Sequence, residues 1–400
     1  MSIYRDLGLE PIINASGAVT RLGGAPMPDA VLNAFVAAAR ESVPLDELQA
    51  VASRAIAEAT GAEAGLVTSG AASALMLGSA SILTGYNLGR MERLPHCEGF
   101  PHEFVVAREQ RNGYDHAVRA SGAKLVEVGF NEIVAGAGVR RTEAWEYAAA
   151  FGPMTAGVLY VADVHGRPTL AEVVDVAHQR GLPVLVDAAG ELPPRSNLRS
   201  ILASGADLVA FSGGKAIRGP QATGLLCGRR DLIGAAAAQM LDMDDHFELW
   251  EPPTDLIDKS RLGGIPRHGI GRTLKVSKEQ IVAVLTALKL FRNGDYDADL
   301  PAQLRSLELI ASVLAGSPVV CRIHRPPDEQ SLPLLEITLE GENRGRRAFE
   351  ACRRLRKGKP PVYVGHGTLH AGTLTVNPLH LNEARTSVLA RRLREELALS

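Results

Sequence analysis

The stretch "LVAFSGGKAIRGPQATGLLCG", residues 208–228, decides the fold. It begins with an apolar run, continues through two glycines and the single lysine Lys215, and ends in a second apolar run. Short apolar runs bounded by glycine predict buried β-strands. The sequence therefore places one long cationic side chain on a tight turn between two buried strands, and the question is what a lysine does there.

The chain around this stretch alternates between β-rich and helical patterns. Helical patterns occur at 140–152 and 169–181. The β-rich apolar runs lie at 103–110, 123–130, 156–163, 182–190, 206–213 and 223–228. Uninterrupted apolar strands separated by helices are typical of βαβ units. We therefore predict an α/β fold with a mostly parallel central sheet and helices on both faces.

The segments on either side of the sheet predict further helices and a second domain. Upstream, 28–42, 45–61 and the Ala-rich 68–85 have helical patterns, and Ser277 and Gly294 mark the start and end of a long helix. Farther on, β-rich runs alternate with helical patterns in a different order. The β-rich runs have hairpin-like spacing and lie at 319–326, 332–341, 360–367 and 373–378, and the helices are expected at 301–316, 342–358 and 382–399.

These patterns predict three parts of the chain. An N-terminal arm with helices covers 1–60, a large domain covers 61–295, and a smaller C-terminal α+β domain covers 296–400.

Composition excludes several classes of protein. The chain has 400 residues, of which 46% are hydrophobic and 22% charged, and its formal net charge is -2, which argues against a basic surface for nucleic acid. The four cysteines include no CxxC pair, so neither a zinc ribbon nor a disulfide framework is expected. We predict no metal site, a reducing cytoplasmic location, and no membrane span, since no apolar run reaches about 18 residues.

Polar residues follow the predicted strands at three places. Asp187 ends one strand, Ser212 and Lys215 follow the next, and Ser69 with Gly70 opens the Ala-rich helix. Ligands of open parallel sheets bind beyond the carboxyl ends of the strands, and a helix N-terminus with small residues suits a phosphate. An ordinary capped helix would explain Ser69 and Gly70 equally well.

Two nucleotide-binding motifs fail in this sequence. A P-loop would need glycine at Val209 and serine or threonine at Ala216. A dinucleotide fingerprint would need glycine at Leu274.

A lysine beside a carboxylate and an anion site points to pyridoxal 5′-phosphate (PLP). Asp187 and Lys215 are 28 residues apart, 215 − 187, which is about one βαβ crossover, so both side chains can face one pocket. A lysine amine among apolar walls forms Schiff bases with aldehydes, and PLP also requires a carboxylate beside its ring nitrogen. Taken alone, Lys215 is typical of a solvated loop and Asp187 of a strand end.

The combined motifs resemble those of fold-type I PLP enzymes. "VDAAGELPP" (186–194) followed by "FSGGKAIRGPQATGLLCG" (211–228) is similar to the cofactor region of bacterial selenocysteine synthase (seryl-tRNA selenium transferase) and of the aminosugar-acid ammonia-lyases. "INASGAVTRLGG" (13–24), "TGAEAGLVTSGAAS" (60–73) and "GIGRTLKVSKEQI" (269–281) fit the same branch. The resemblance thus extends over most of the chain.

The resemblance implies roles for particular residues. Lys215 would form the Schiff base and Asp187 would face the pyridinium nitrogen, while the glycines beside Lys215 would let the backbone approach the cofactor. The remaining cofactor-binding residues would be Ser69, Gly70, Ala71 and Ala72 in the phosphate turn and Ser212, whose hydroxyl assists it.

Other site residues are assigned with alternatives. The ring-stacking group is expected among Gln110, Tyr114 and His116, although a histidine in a helix is commonly a surface or capping residue. His165 follows a strand end and would reach the cofactor's 3-hydroxyl or act as an acid or base, unless it is a plain turn histidine.

Substrate anions would need arginine. Arg21 and Arg272 lie beside glycines and would bind a carboxylate or phosphate, with Arg272 acting across a dimer interface; a surface salt bridge is the alternative for each. His366 lies in a C-terminal region where aminotransferases of the fold usually offer an arginine, which argues against ordinary transamination.

The reaction is predicted only by class. We expect a Lys215 aldimine and a carbanion that lead to β-elimination or replacement, as the resemblance to the ammonia-lyases implies. A small amino-acid-type substrate is expected in place of a tRNA-bound one, because the chain starts directly at "LGLEPIINASG" and its net charge of -2 does not indicate a basic surface. The alternative is decarboxylation, with or without oxygen. Racemisation, transamination and a non-catalytic PLP-binding protein are further alternatives. Sites of this fold usually form between subunits, so at least a homodimer is expected.

Overall fold

The computed structural model describes residues 2–130, 141–163, 165–325 and 332–398. Three predicted segments therefore extend one residue beyond the described ranges. They are the helical pattern that starts at 140, the β-rich run that ends at 326 and the helix predicted to end at 399. The chain divides into a large unit, Met27–Arg292, and a small unit, Met1–Pro26 with Asn293–Ser400.

The helices and strands are numbered in chain order. The described strands are β1 (Ile13–Ala15), β2 (Ala64–Thr68), β3 (Glu103–Ala107), β4 (Lys124–Val128), β5 (Thr155–Val161), β6 (Val184–Asp187), β7 (Leu208–Ser212), β8 (Gly224–Gly228), β9 (Val319–His324), β10 (Leu334–Leu339), β11 (Val362–Val364) and β12 (Thr373–Val376). The described α-helices are α1 (Ile3–Asp6), α2 (Asp29–Ala39), α3 (Leu45–Thr60), α4 (Ala71–Thr84), α5 (Leu88–Arg93), α6 (Asp115–Ala120), α7 (Ala144–Ala150), α8 (Leu170–His178), α9 (Asn197–Ala203), α10 (Arg230–Met240), α11 (Lys278–Asn293), α12 (Leu300–Val313), α13 (Arg344–Lys357) and α14 (Glu383–Ala398).

The large unit contains a seven-stranded sheet in the order β2-β8-β7-β6-β5-β3-β4. The strands β7, β6, β5, β3 and β4 pair in parallel, whereas β8 is antiparallel to both of its neighbours. The predicted α/β class with a mostly parallel sheet is confirmed. Every β-rich run predicted between residues 103 and 228 contains one of these strands.

The buried helix α4 packs directly on this sheet. A Cβ added to Gly78 would lie 2.9 Å from the Leu185 side chain of β6 and within 3.4 Å of side chains of β7 and β8. Apolar residues surround most of this helix, which explains why its sequence lacks a polar face. On α11, Ser277 and Gln280 exchange hydrogen bonds between side chain and backbone, so the predicted N-cap is present.

The small unit has its own core around a three-stranded antiparallel sheet in the order β12-β10-β9. The predicted run 360–367 meets this sheet through one isolated antiparallel bridge, between Gly365 and Thr375 of β12. The strand β11 within that run pairs in parallel with β1 near the N-terminus. The partner strand β1 has only three residues, which is too short for its periodicity to be recognised in the sequence.

This pairing also affects where the chain divides. The sequence interpretation separates residues 1–60 from the sheet and places the second boundary at 295. In the structure, residues 27–60 group with the large unit, and residues 1–26 group with the C-terminal residues. Among the described helices, none is both long and apolar enough to cross a membrane.

Candidate active site

The carboxyl ends of six strands in the large unit meet at one edge of the sheet. The strands β2 and β7 are both antiparallel to β8, so they run in the same direction as each other and as β6, β5, β3 and β4. Thr68, Asp187 and Ser212 end β2, β6 and β7, respectively. The candidate residues in the large unit that were predicted to follow strands therefore share the edge at which ligands bind in such sheets.

The turn between β2 and α4 has the properties of an anion site. Gly70 precedes the helix with φ of 114°, a conformation that favours glycine, and a Cβ added there would meet nothing within 4 Å. The first N–H groups of a helix lack acceptors within the helix, so those of Ala71 and Ala72 are available to a ligand. The Thr68 hydroxyl donates to the Gly70 carbonyl at 2.9 Å and holds the turn.

The strand β8 supports this turn through a glycine. Gly224 pairs with Thr68 on one side and with Ser212 on the other, so the three residues form a row across the sheet. A Cβ on Gly224 would lie 2.3 Å from the carbonyl carbon of Gly70. Because β8 lies between β2 and β7, the anion turn after β2 is two strands away from the lysine loop after β7.

Lys215 lies on a loop that folds back on itself. The Gly213 N–H donates to the Thr223 carbonyl at 2.9 Å. A Cβ on Gly213 would lie 2.3 Å from the Thr223 hydroxyl oxygen, and one on Gly214 would lie 2.5 Å from the Gln221 Cα. The packing of the loop itself thus requires both glycines. The family resemblance implies another reason for them, namely that they let the backbone come close to the cofactor.

Asp187 is the buried acid of the site. It is 8% exposed, and its Oδ1 accepts a hydrogen bond from the Ala189 N–H at 3.1 Å. Burial raises the pKa of the Asp187 carboxyl, while this hydrogen bond and the Lys215 ammonium oppose the rise. Lys215 is half-buried, and within the described part of the chain its amine has no hydrogen-bond or ion-pair partner.

These groups fit PLP. Lys215 would supply an amine for the aldehyde, Asp187 would supply a buried carboxyl for the ring nitrogen, and the turn at Gly70 would supply free N–H groups and open space for the phosphate. The lysine lies on the loop after β7, and β7 is the neighbour of β6, which the acid ends, as the 28-residue spacing predicts.

Other predicted cofactor residues lie on the same edge without a defined role. The Gln110 side-chain oxygen accepts the Val161 N–H at 3.2 Å, which joins the end of β3 to the end of β5. His116 is exposed on α6, and its Nδ1 lies 3.3 Å from the Arg119 guanidinium. His165 is exposed, and its backbone N–H donates to Asp163 at 2.8 Å. Their proposed roles in cofactor binding or catalysis stay predictions.

The predicted substrate residues fall in both units. Arg272 lies in the large unit, and its guanidinium contacts the Asp242 carboxylate. Arg21 and His366 lie in the small unit, where both are exposed and Arg21 stands 5.7 Å from the centre of the Tyr363 ring. The Asp242 contact corresponds to the salt-bridge alternative for Arg272.

The sequence interpretation missed two acids at the edge, Asp163 and Glu191. Asp163 follows β5, and Glu191 lies four residues beyond Asp187. Burial raises the pKa of Glu191 most, negative charge on Asp163 and Asp187 raises it further, and the Lys215 ammonium lowers it, so these groups share one electrostatic environment. The position of Asp163 just after a strand end was an available signal, whereas Glu191 lies in an irregular segment that carries none.

Fold and site together define a PLP-dependent enzyme of fold type I. The family model of L-seryl-tRNA selenium transferase (SelA) matches residues 115–243. The 5′-C-glycyluridine monooxygenase-decarboxylase of a Streptomyces species is 30% identical over 98% of this chain and 92% of its own length. The D-glucosaminate-6-phosphate ammonia lyase of Salmonella typhimurium is 28% identical over 98% of this chain and 97% of its own.

A comparison with solved structures finds the same kind of enzyme. The structure of a D-glucosaminate-6-phosphate ammonia-lyase superposes with a TM-score of 0.79 at 27% identity, covering 99% of this chain and 98% of that one. The chain belongs to the selenocysteine synthase-like family of PLP-dependent enzymes.

Proposed function

We propose that this PLP-dependent enzyme catalyses β-elimination or replacement on a small amino-acid-type substrate, with a β-hydroxyl as the group that leaves. The observation that carries the proposal is the partner-free amine of Lys215 beside the buried Asp187 carboxyl. Similarity to an ammonia lyase over nearly the whole of both chains supports the reaction class. Loss of the hydroxyl as water, followed by hydrolysis, would turn a 2-amino-3-hydroxy acid into a 2-oxo acid and ammonia.

Each residue of the site has a task in this reaction. Bound PLP supplies an electron sink for negative charge at the substrate α-carbon. Lys215 would hold the cofactor and take the proton from the α-carbon once its amine is free. Asp187 would hold positive charge on the ring nitrogen, an interaction that burial strengthens. The Gly70 turn would anchor the phosphate and fix the ring in position.

The remaining assignments belong to the same proposal. Gln110 or His116 would contact the cofactor ring, His165 would act as an acid or base, and the arginines and His366 would bind the substrate. Arg272 would first have to leave Asp242 to bind an anion. We propose Arg21 and Arg272 for a carboxylate or phosphate of the substrate.

Oxidative decarboxylation is the second candidate. It is supported by the 30% identity to a monooxygenase-decarboxylase over 92% of that enzyme's length. The same lysine and acid would serve it, since both reactions place negative charge at the α-carbon. The two candidates differ in which bond breaks and in whether oxygen is consumed.

One set of assays tests the proposal. Holoenzyme is incubated with amino acids and 2-amino-sugar acids that carry a β-hydroxyl, and ammonia, 2-oxo acid, carbon dioxide and dissolved oxygen are measured together. Ammonia with 2-oxo acid and constant oxygen supports elimination. Carbon dioxide with oxygen uptake supports the second candidate. An absorption spectrum that no amine changes would indicate a non-catalytic PLP-binding protein instead.

We also infer that the chain forms at least a homodimer and works in a reducing cytoplasm. Apolar side chains of α2 and α3 in the large unit support the first inference, because Leu32, Val36 and Val51 are 41%, 51% and 48% exposed. Free cysteines, which include Cys97 and Cys227, support the second. Light scattering on the purified holoenzyme measures the oligomeric state.

A further inference from the structure

Glu191 is a carboxyl of the site for which the proposed function has no task. It lies in the segment after β6, four residues beyond Asp187. The Asp187 carboxylate and the Lys215 ammonium both act on it electrostatically. A third ionisable group therefore lies at the same edge of the sheet and shares the electrostatic environment of the amine and of the buried acid.

The backbone of Glu191 is fixed, whereas its carboxyl is not. The Glu191 N–H donates to the Ala188 carbonyl at 3.2 Å, and the Glu191 carbonyl accepts from the Asn197 side-chain amide at 2.7 Å. Within the described ranges, the carboxyl oxygens accept no hydrogen bond and form no ion pair. The half-buried side chain is thus positioned by its main chain and has a free acid group.

This acid lines a small cavity of about 220 Å³ at the carboxyl end of β5. Asp163, Arg167, Tyr160 and Asn197 also line the cavity. A cavity of this size holds a few atoms of a ligand or several water molecules. It therefore offers Glu191 a place to meet a polar substrate group.

The charges around the cavity favour the protonated form of Glu191. Burial raises the pKa of its carboxyl, the carboxylates of Asp163 and Asp187 raise it further, and the Lys215 ammonium lowers it. Arg167 also faces the cavity. A carboxylic acid that keeps its proton closer to neutral pH can donate it to a leaving group.

We propose that Glu191 is the acid that protonates the leaving β-hydroxyl. As the Cβ–O bond breaks, its electron pair goes to the oxygen, the Glu191 carboxyl supplies the proton, and water departs. Lys215 takes the α-proton as proposed above, and Glu191, left as a carboxylate, regains a proton from solvent through the cavity. This step rests on the proposed β-elimination, and it limits the substrate class to amino acids with a β-hydroxyl near the cavity.

The test compares two leaving groups in the same enzyme. Hydroxide must be protonated to leave, whereas chloride needs no proton. Serine and β-chloroalanine, each as both enantiomers, are offered to the PLP-loaded wild type, to Glu191→Gln, and to Glu248→Gln, an exposed control. Ammonia release is measured under single-turnover conditions, and exchange of the α-proton in D₂O is followed by NMR. Cofactor absorbance and the thermal midpoint show whether Glu191→Gln is folded and loaded.

The expected result is selective. Glu191→Gln should release ammonia from serine about 10²- to 10⁴-fold more slowly than wild type, the usual contribution of a positioned acid. Its rate with β-chloroalanine should fall less than about tenfold, and α-proton exchange should persist because Lys215 is intact. Equal losses with both substrates, or no loss with serine, would overturn the assignment.

The wild type separates this proposal from the function on which it rests. Wild-type enzyme that exchanges the α-proton but releases ammonia from neither substrate would refute β-elimination, and the role of Glu191 would fall with it. Wild-type elimination together with an unselective Glu191→Gln would refute only the role of Glu191.

Discussion

The Lys215 ammonium acts on the charge of the Asp187 carboxyl without forming an ion pair with it. The Lys215 ammonium lowers the pKa of the Asp187 carboxyl, against the larger effect of burial, yet their charged atoms are not within 4.0 Å of each other. Adjacent parallel strands place the two residues at one edge of the sheet. The space between an amine and a buried acid is where a cofactor with an aldehyde and a ring nitrogen fits.

The covalent role that we propose for Lys215 predicts a specific chemical label. Borohydride reduction of wild-type holoenzyme should fix one cofactor per chain, and peptide mass spectrometry should locate it on Lys215. Lys215→Ala should carry none, because among the described residues no other amine is found to act on the charge of Asp187. Lys289→Ala, a change at an exposed lysine of α11, should label like wild type. A label on another lysine would contradict the assignment.

Loss of the Asp187 charge should slow the reaction while the cofactor stays attached. We expect Asp187→Asn to lower kcat by on the order of 10²-fold or more, since a neutral amide stabilises positive charge on the ring nitrogen poorly. Steady-state rates and cofactor absorbance check both parts. Asp175→Asn, on the exposed side of α8, is the matched control. A decrease smaller than about tenfold would argue that Asp187 does not face the ring.

The same substitution should stabilise the cofactor-free protein. Because burial raises the pKa of Asp187 in the folded state, folding favours its neutral form, and ionisation costs stability above the unfolded-state pKa. Asp187→Asn should therefore raise the thermal midpoint of the apoprotein at pH 7 to 8. The gain should vanish as the pH falls below the ordinary pKa of aspartate, where both states are protonated. Scanning calorimetry between pH 3 and 8 measures this.

Asp207 is the contrasting buried aspartate. Its carboxylate accepts the Val184 N–H at 2.8 Å and the His178 ring nitrogen lies at 2.8 Å, while the Arg229 guanidinium donates at 3.1 Å. This acid has partners for both oxygens, so Asp207→Asn should destabilise the apoprotein by about 1–3 kcal/mol at pH 7. If both variants shift stability in the same direction, the distinction between a functional and a structural acid fails.

The positions of many candidate site residues were predictable because they follow strand ends. Buried apolar runs located the strands, and one crossover between Asp187 and Lys215 made them neighbours. Glu191 was not predictable, because its carboxyl reaches the site through an irregular segment that has no periodicity. The pairing of β1 with β11 joins residues about 350 positions apart, and a three-residue strand gives no sequence signal for such a partner.

The row formed by Thr68, Gly224 and Ser212 makes the anion turn sensitive to a single methyl group. A Cβ on Gly224 would lie 2.3 Å from the Gly70 carbonyl carbon and 2.5 Å from the Ala71 nitrogen, so Gly224→Ala must move the turn that we assign to the phosphate. We expect the dissociation constant for PLP to rise at least about tenfold, equivalent to 1.4 kcal/mol. Equilibrium dialysis of the apoprotein with PLP measures it, with Lys215→Ala as background so that only non-covalent binding is compared. Gly152→Ala is the control, because a Cβ there would meet nothing within 4 Å. Equal PLP affinity in both glycine variants would place the phosphate elsewhere.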